Sequence, residues 1–532
     1  MRTSNQYRFS EVPEANIPRS TFNRTHTYKT TFDSGYLIPF YVDEVLPGDT
    51  FKAKFSLFAR MATPIVPIMD NLYLDTHIFY VPSRLVWENW AKFLGEQKNP
   101  GDSIDYLIPT LKDSNEGFAV QSIYDYMGLP TGVPINSNSP INALPLRALN
   151  LIYNEWFRDE NLQDSLPVPM NDGPDGLDNY NLYRRGKRHD YFTSALPWPN
   201  KPGQFDYSDG VSIGLTGNAP VTATLGDSLS APIDANVLFS NASNTNNANK
   251  YEGGVRLSSV ETTVGLENTR AVELSADLTN VTAISINDLR TAFQVQRFLE
   301  KSARSGTRLK ELILGHFGVV VPDARIQRPE YLGGSSTRIN IKPVEQTSST
   351  DSTTPQGNLA AYGVVGDSFH GFTKSFVEHG YVIAFVSVRA DLTYQQGLNR
   401  MWSRRDRFDF YWPSFAHLGE QAVYNREIMM TGTETDDDVF GYQERYAEYR
   451  YHPSLITGKF RSTDAQSLDI WHVAQEFETV PQLNAEFIEE NPPIARIIAV
   501  PSEPQFLFDS QVSLTCTRPM PVYSVPGMID HF

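Results

Sequence analysis

The sequence predicts an all-β fold: an antiparallel sandwich of short strands with long loop insertions and a few short helices. Apolar residues alternate at period two in several short stretches. Connections bearing Pro and Gly separate those stretches where regularly spaced helices would otherwise stand, which favours antiparallel over parallel sheet. About eight strands of roughly five to six residues need only a small part of the 532 positions, so most of the chain is loop.

In chain order, residues 50–59 place Phe51, Ala53, Phe55 and Leu57 on one strand face. Residues 72–81 alternate in the same way, and Pro82 ends them. Ser83 caps a short helix through Leu94, with Val86, Trp90, Phe93 and Leu94 on one stripe. Pro145 opens a second helix whose buried face is Leu146, Leu149, Ile152, Tyr153, Trp156 and Phe157. Asn287 caps a third, carrying Leu289, Phe293, Phe298 and Leu299. A polar loop at 347–355 lies between strand regions, and further strands are predicted at 382–390, 468–474, 494–500 and 505–515.

Residues 203–280 differ from everything around them. Gly, Ala, Ser, Thr and Asn supply 42 of these 78 positions, with four aromatics and no Trp. The remaining 454 residues hold 60 of the 64 aromatics. Composition alone leaves two readings, a loop displayed by a rigid body or a linker between two domains.

A content of 40% apolar, 20% charged and 12% aromatic residues is that of a soluble globular chain with a large core. No run approaches the roughly 18 apolar residues of a membrane span, and the first residues carry no apolar signal-peptide segment. Cys516 is the only cysteine, which excludes an intrachain disulfide and a thiolate zinc cluster and fits a reducing compartment. The net charge of −17 argues against a surface that grips nucleic acid everywhere. Charge is uneven, however: residues 1–30 sum to +3, 179–202 to +4 and the 203–280 stretch to −6.

Catalytic chemistry finds little support. Gly226-Asp227-Ser228-Leu229 resembles the nucleophile block of a hydrolase, and Asp469 with His472 would supply orienter and base. Ser228 lies in the small-residue stretch with no amphipathic helix after it, and alternation at 468–474 points Asp469 and His472 to opposite faces. Ten scattered His residues form no zinc motif, and no phosphate-binding Gly loop appears. Asp436, Asp437 and Asp438 would offer hard oxygen ligands to an interfacial calcium ion, although such runs are more often solvated loops. Arg184, Arg185, Lys187 and Arg188 form a basic patch suited to DNA phosphates or to a neighbouring subunit. Two blocks mix Arg with aromatics, around Trp402 and Trp412 and around Tyr442 and Tyr446; they point first to interface anchors. A monomeric carbohydrate-binding sandwich is the rival from the binding class.

Seven ordered blocks carry a more specific signal: NRTH (23–26) with DEVLPGDTF (43–51), WFRDENLQ (156–163), RGKRHDYF (185–192), QRPEYLGG (327–334), FGYQER (440–445), RPMP (518–521) and PGMIDHF (526–532). In these the chain resembles microvirus major capsid proteins of the gokushovirus branch. The resemblance implies a single eight-stranded antiparallel jelly roll, not an enzyme, that self-assembles into a small icosahedral shell around circular single-stranded DNA. It divides the chain into an N-terminal arm and first part of the core (1–202), an insertion (203–280) forming a three-fold surface protrusion, and the remaining core with inter-subunit loops (281–532). The insertion is then the part expected to meet a host surface receptor. Expected partners are further copies of the chain, the single-stranded DNA genome, a small basic DNA-packaging protein, a DNA pilot protein and an internal scaffolding protein. The expected location is the virion, assembled in the bacterial host cytoplasm, with no cofactor apart from the calcium ion considered above. Because matching blocks resume beyond residue 280, both flanks belong to one scaffold, and the linker reading gives way to an excursion from it.

Overall fold

The computed structural model describes residues 17–136, 138–199, 221–224, 273–276, 286–352 and 355–523. Its strands are β1 (Ser20–Asn23), β2 (His26–Phe32), β3 (Ile38–Val45), β4 (Thr50–Met61), β5 (Leu72–Pro82), β6 (Val221–Thr224) and β7 (Glu273–Ala276). There follow β8 (Glu330–Arg338), β9 (Asn340–Glu345), β10 (Leu359–Ser375), β11 (Gly380–Ala390), β12 (Glu420–Tyr424), β13 (Val439–Glu444) and β14 (Phe506–Arg518). Helices are short, apart from one: α1 (Trp90–Phe93), α2 (Ile123–Tyr126), α3 (Leu144–Ile152), α4 (Ile286–Ser305), α5 (Leu309–Phe317), α6 (Asn425–Ile428) and α7 (Ala485–Ile488). No helix among the described residues is long and apolar enough to cross a membrane.

Every strand pair is antiparallel. One sheet runs β1-β14-β4-β10-β9, with β2 also paired to β14; the other runs β3-β11-β5-β8. The chain passes repeatedly from one sheet to the other, from β2 to β3, β4 and β5 and again from β8 to β10, β11 and β14, which is jelly-roll connectivity. The sheets hold six and four strands. β1 and β2 follow one another along the same edge of β14, so counting them as one interrupted strand and setting aside edge strand β9 leaves four in each.

Burial follows from the sequence pattern. Strand β4 alternates buried and exposed along its length, with Phe51, Ala53, Phe55, Leu57, Ala59 and Met61 inward. These meet Phe40, Val382, Val386, Phe508 and Leu514 between the sheets; Phe40 and Phe55 pack edge to face with centroids 5.9 Å apart. Strands β5 and β11 are buried almost continuously because the four-stranded sheet is covered on its other side too. There Phe79, Val81, Ile383 and Phe385 pack against Leu144, Leu149 and Ile152 of α3 and against Trp87.

The chain divides into two units, Met1–Lys201 with Glu300–Phe532, and Pro202–Leu299. Both sheets and the β12–β13 hairpin belong to the first; the second contains the β6–β7 hairpin and most of α4. Apart from β6 and β7, the stretch at 203–280 and its expected protrusion lie outside the described residues.

Four local expectations are corrected. Residues 468–474 and 494–500 are not strands but contain single 3-10 turns, Asp469–Trp471 and Ile494–Arg496. In the latter the buried Ile494, Ile497 and Ile498 fall at spacings of three and four, which a helical turn satisfies better than alternation. The helix expected from Ser83 to Leu94 is broken into a turn at Ser83–Leu85 and α1. Asn287 lies inside the first turn of α4 and does not cap it. Pro145 does stand in the first turn of α3, which continues as a wider π-turn over Tyr153–Phe157.

Candidate subunit interface and basic strap

Residues 183–188 form a strap laid between two extended segments. On one side Leu37 N donates to Tyr183 O at 3.0 Å and Arg185 N to Gly35 O at 2.7 Å. On the other, Lys187 N donates to Ile488 O at 2.7 Å and Glu490 N to Arg185 O at 2.8 Å. The backbone thus fixes where each basic side chain starts.

Each then finds a partner in its own subunit. The Arg184 guanidinium stacks 4.2 Å from the Tyr36 ring centre and donates to Glu490 O at 3.0 Å. Arg185 and Arg389 both bind Asp75 Oδ2 at 2.7 Å. Lys187 Nζ donates to Gln475 Oε1 at 2.8 Å and to Phe487 O. Arg188 lies over Tyr73 at 4.1 Å and pairs with Asp391 at 3.1 Å.

Burial and these partners set the protonation states. Burial alone would raise the Asp75 carboxyl, but the Arg185 and Arg389 guanidiniums and the Ser336 hydroxyl outweigh it and hold it below the ordinary range. Burial pulls the Lys187 ammonium down to about 8, against the opposing pull of Glu490 and Asp190. His77, beside the same cluster, is pulled down to about 3 by burial and then by Arg185, and its Nε2 has no hydrogen-bond partner. With Phe157, Tyr331, Arg185, Arg188 and Arg389 it lines a pocket of 630 Å³.

All four basic residues expected as a DNA or inter-subunit patch thus have partners within their own subunit. Lys187 is 7% exposed and the Arg185 side chain 12%, and cations already desolvated onto carboxylates and carbonyls have little left to offer a phosphate. Arg184 and Arg188 remain half-buried. Sequence reasoning missed Asp75, the ion-pair partner of Arg185, and Arg389, which shares that carboxylate, although each stands as a lone charge in an apolar strand.

The aromatic blocks divide differently. Trp402 is 72% exposed and Trp412 48%, and Phe408, Phe410, Tyr411 and Leu418 between and beyond them are exposed as well. These exposed apolar side chains lie together in one loop. Tyr446, by contrast, is buried, beside this loop and not on its exposed side. It has a left-handed φ of 62°, its N donates to Gln421 Oε1 at 3.1 Å, and its ring meets Tyr411 edge on at 5.0 Å. Tyr442 is half-buried in β13, its backbone exchanging two 2.8 Å bonds with Leu196. Tyr446 packs behind the loop, its hydroxyl donating to Phe410 O at 3.3 Å, while the tryptophans are exposed. Arg400 and Arg404 brace it through Glu427 and Glu448, with Arg404 stacked 4.2 Å from Tyr449.

The remaining candidates are not assembled into a site. Asp436 accepts from Thr431 N, Thr431 Oγ1 and Gly432 N, and Asp437 binds Arg426, so these carboxylates serve a turn. Among the described residues no group of three or more His, Cys, Asp or Glu is placed to hold a metal ion. His472 Nε2 faces Phe460 O at 2.7 Å while Asp469 lies 3.8 Å from Arg496, so the two do not form a dyad. Ser228 is outside the described residues.

Comparison with known proteins agrees with the architecture. A family model described as capsid protein (F protein) matches residues 10–528. The chain is 46% identical over 535 positions to capsid protein VP1 of Bdellovibrio phage phiMH2K, covering 99% of each. It is 45% identical over 591 positions to capsid protein VP1 of Chlamydia phage 1, covering 98% of this chain and 97% of the relative. Against capsid protein VP1 of Spiroplasma virus 4 the identity is 36% over 545 positions, with the same coverage.

Proposed function

The chain belongs to the capsid protein (F protein) family, a structural and not an enzymatic one, and from that premise we propose that it is the subunit of a small icosahedral shell enclosing circular single-stranded DNA. What carries the reading is end-to-end similarity to phage capsid proteins together with a jelly roll that leaves Trp402, Phe408, Phe410, Tyr411 and Trp412 of one loop exposed. Assembly proceeds by symmetric contacts, with Trp402 and Trp412 as anchors in a neighbouring copy. Arg184 and Arg188, the outer members of the strap, stand at the margin of such a contact. Shells form in the cytoplasm of a bacterial host with a small basic packaging protein, a pilot protein and an internal scaffolding protein, and the 203–280 insertion meets the host receptor.

Light scattering and negative-stain microscopy of the expressed chain with those partners test the first claim: shells are expected, and a stable monomer sinks it. Trp402→Asp with Trp412→Asp should abolish shells while leaving the subunit's melting temperature within a few degrees. Deleting 203–280 should give particles that form but do not adsorb to cells; loss of assembly would make the insertion structural instead.

A further inference from the structure

The two sheets differ in what covers them. The central strands of the four-stranded sheet are buried on both faces, whereas no described residue covers the outward positions of β4 in the six-stranded sheet. On that face the central strand β4 presents Lys52, Lys54, Ser56, Phe58 and Arg60, all but Ser56 exposed. Register adds the neighbours: Lys54 stands opposite His370 and Ser513, Phe58 opposite Gly366 and Asp509, Arg60 opposite Val364 and Leu507. Edge strand β9 contributes Lys342 opposite Tyr362, and β2 contributes Lys29 opposite Asp509.

Asp509 is the only carboxylate at an outward position of these strands, and Lys29 already binds it at 3.2 Å. Lys52, Lys54, Arg60 and Lys342 have no ion-paired or hydrogen-bonded side-chain partner among the described residues. A chain of net charge −17 thus concentrates unpaired cations on one face. Lys52 and Lys54 sit about 6.6 Å apart along the strand, where like charges repel and lysine is disfavoured. Such a face is complementary to a polyanion.

Its other side chains favour nucleic acid over an acidic protein. Hydroxyls and an amide from Ser56, Ser368, Thr373, Gln511, Ser513 and Thr515 surround the cations and can donate to phosphate oxygens without reading sequence. Phe58 and Leu507, 51% and 52% exposed, floor a 560 Å³ depression rimmed by Lys29, Arg60 and Asp509. An aromatic floor with a cationic rim suits a stacked base and its phosphate.

We propose that the outward face of the six-stranded sheet is a sequence-independent docking surface for single-stranded nucleic acid, with Lys52, Lys54, Arg60 and Lys342 taking phosphates and Phe58 a base. This rests on the reading of the chain as a shell around single-stranded DNA and names the surface that would line it.

The test measures binding of a fluorescent oligothymidylate DNA to the full chain across a salt series. Substituting Lys52→Gln, Lys54→Gln, Arg60→Gln and Lys342→Gln together should flatten the slope of log affinity against log salt by roughly 2.8, about 0.7 per lost phosphate contact. The charge-keeping set Lys52→Arg, Lys54→Arg, Arg60→Lys and Lys342→Arg should retain it and so controls for folding. Particles carrying the Gln set should assemble with reduced DNA content. An unchanged slope overturns the assignment, as does an equal loss from neutralising the off-face Lys98, Lys112 and Lys459. Failed assembly with an unchanged slope would make the face a protein contact and overturn it too. Wild-type shells without DNA would instead sink the shell reading on which the assignment rests.

Discussion

Arg147 and Asp175, at 0% and 1% side-chain exposure, meet through two charge-assisted bonds of 2.7 and 2.6 Å, and Tyr180 adds a third donor to the carboxylate at 2.6 Å. Removing one partner strands the other as a buried charge, so Asp175→Ala should cost about 3–5 kcal/mol in chemical denaturation. The exposed pair Lys29–Asp509 gives the contrast: Lys29→Ala should change stability by less than about 1 kcal/mol. His77 and Lys187 add a pH dependence. Both are bases that folding drives toward the neutral form, from 6.5 to about 3 and from 10.5 to about 8. Between each pair of values the unfolded chain holds the extra proton, so stability rises with pH there. Wild type should therefore lose stability relative to His77→Phe as pH falls from 6.5 toward 3, and gain relative to Lys187→Met as pH rises from 8 to 10.5. Denaturation midpoints across pH check both directions.

At the scale of elements, legibility tracked periodicity. Strands at 50–59, 72–81, 382–390 and 505–515 were readable because alternation or a bounded apolar run imposes them; β4, β5 and β11 contain the first three, and β14 starts one residue into the fourth. Residues 468–474 and 494–500 misled because their apolar residues plug gaps in the core through single turns, a tertiary demand that no local pattern records. The intramolecular partners of the strap were hidden for the same reason. Its charge was visible, but Asp75 lies more than a hundred residues away and only the fold brings it there. Bulges were invisible as well. At the one in β8 opposite Ile78 and Phe79, a Cβ on Gly334 would lie 2.1 Å from the backbone oxygen of Thr76. Gly334→Ala must therefore push β8 from β5, a cost of about 1–3 kcal/mol readable as a lowered midpoint.

For the whole molecule, the two hydrophobic clusters described above draw every described member from Met1–Lys201 and Glu300–Phe532. Replacing 203–280 by a short Gly-Ser linker should leave the calorimetric melting temperature within a few degrees of wild type; a collapse would show that the insertion supports the core. The position of β14 reaches further. It is not an edge strand but sits between β1 and β2 on one side and β4 on the other, pairing with all three. A nascent chain emerging at about 5–20 residues per second must therefore keep that slot open for roughly 20 to 90 seconds after β4 has appeared. Until release the apolar side of β4 lacks its last neighbour, so Phe51, Phe55 and Leu57 wait on the far end of the chain for their full burial. A chain that stops before β14 cannot close the sheet, so the complete fold requires synthesis through Arg518.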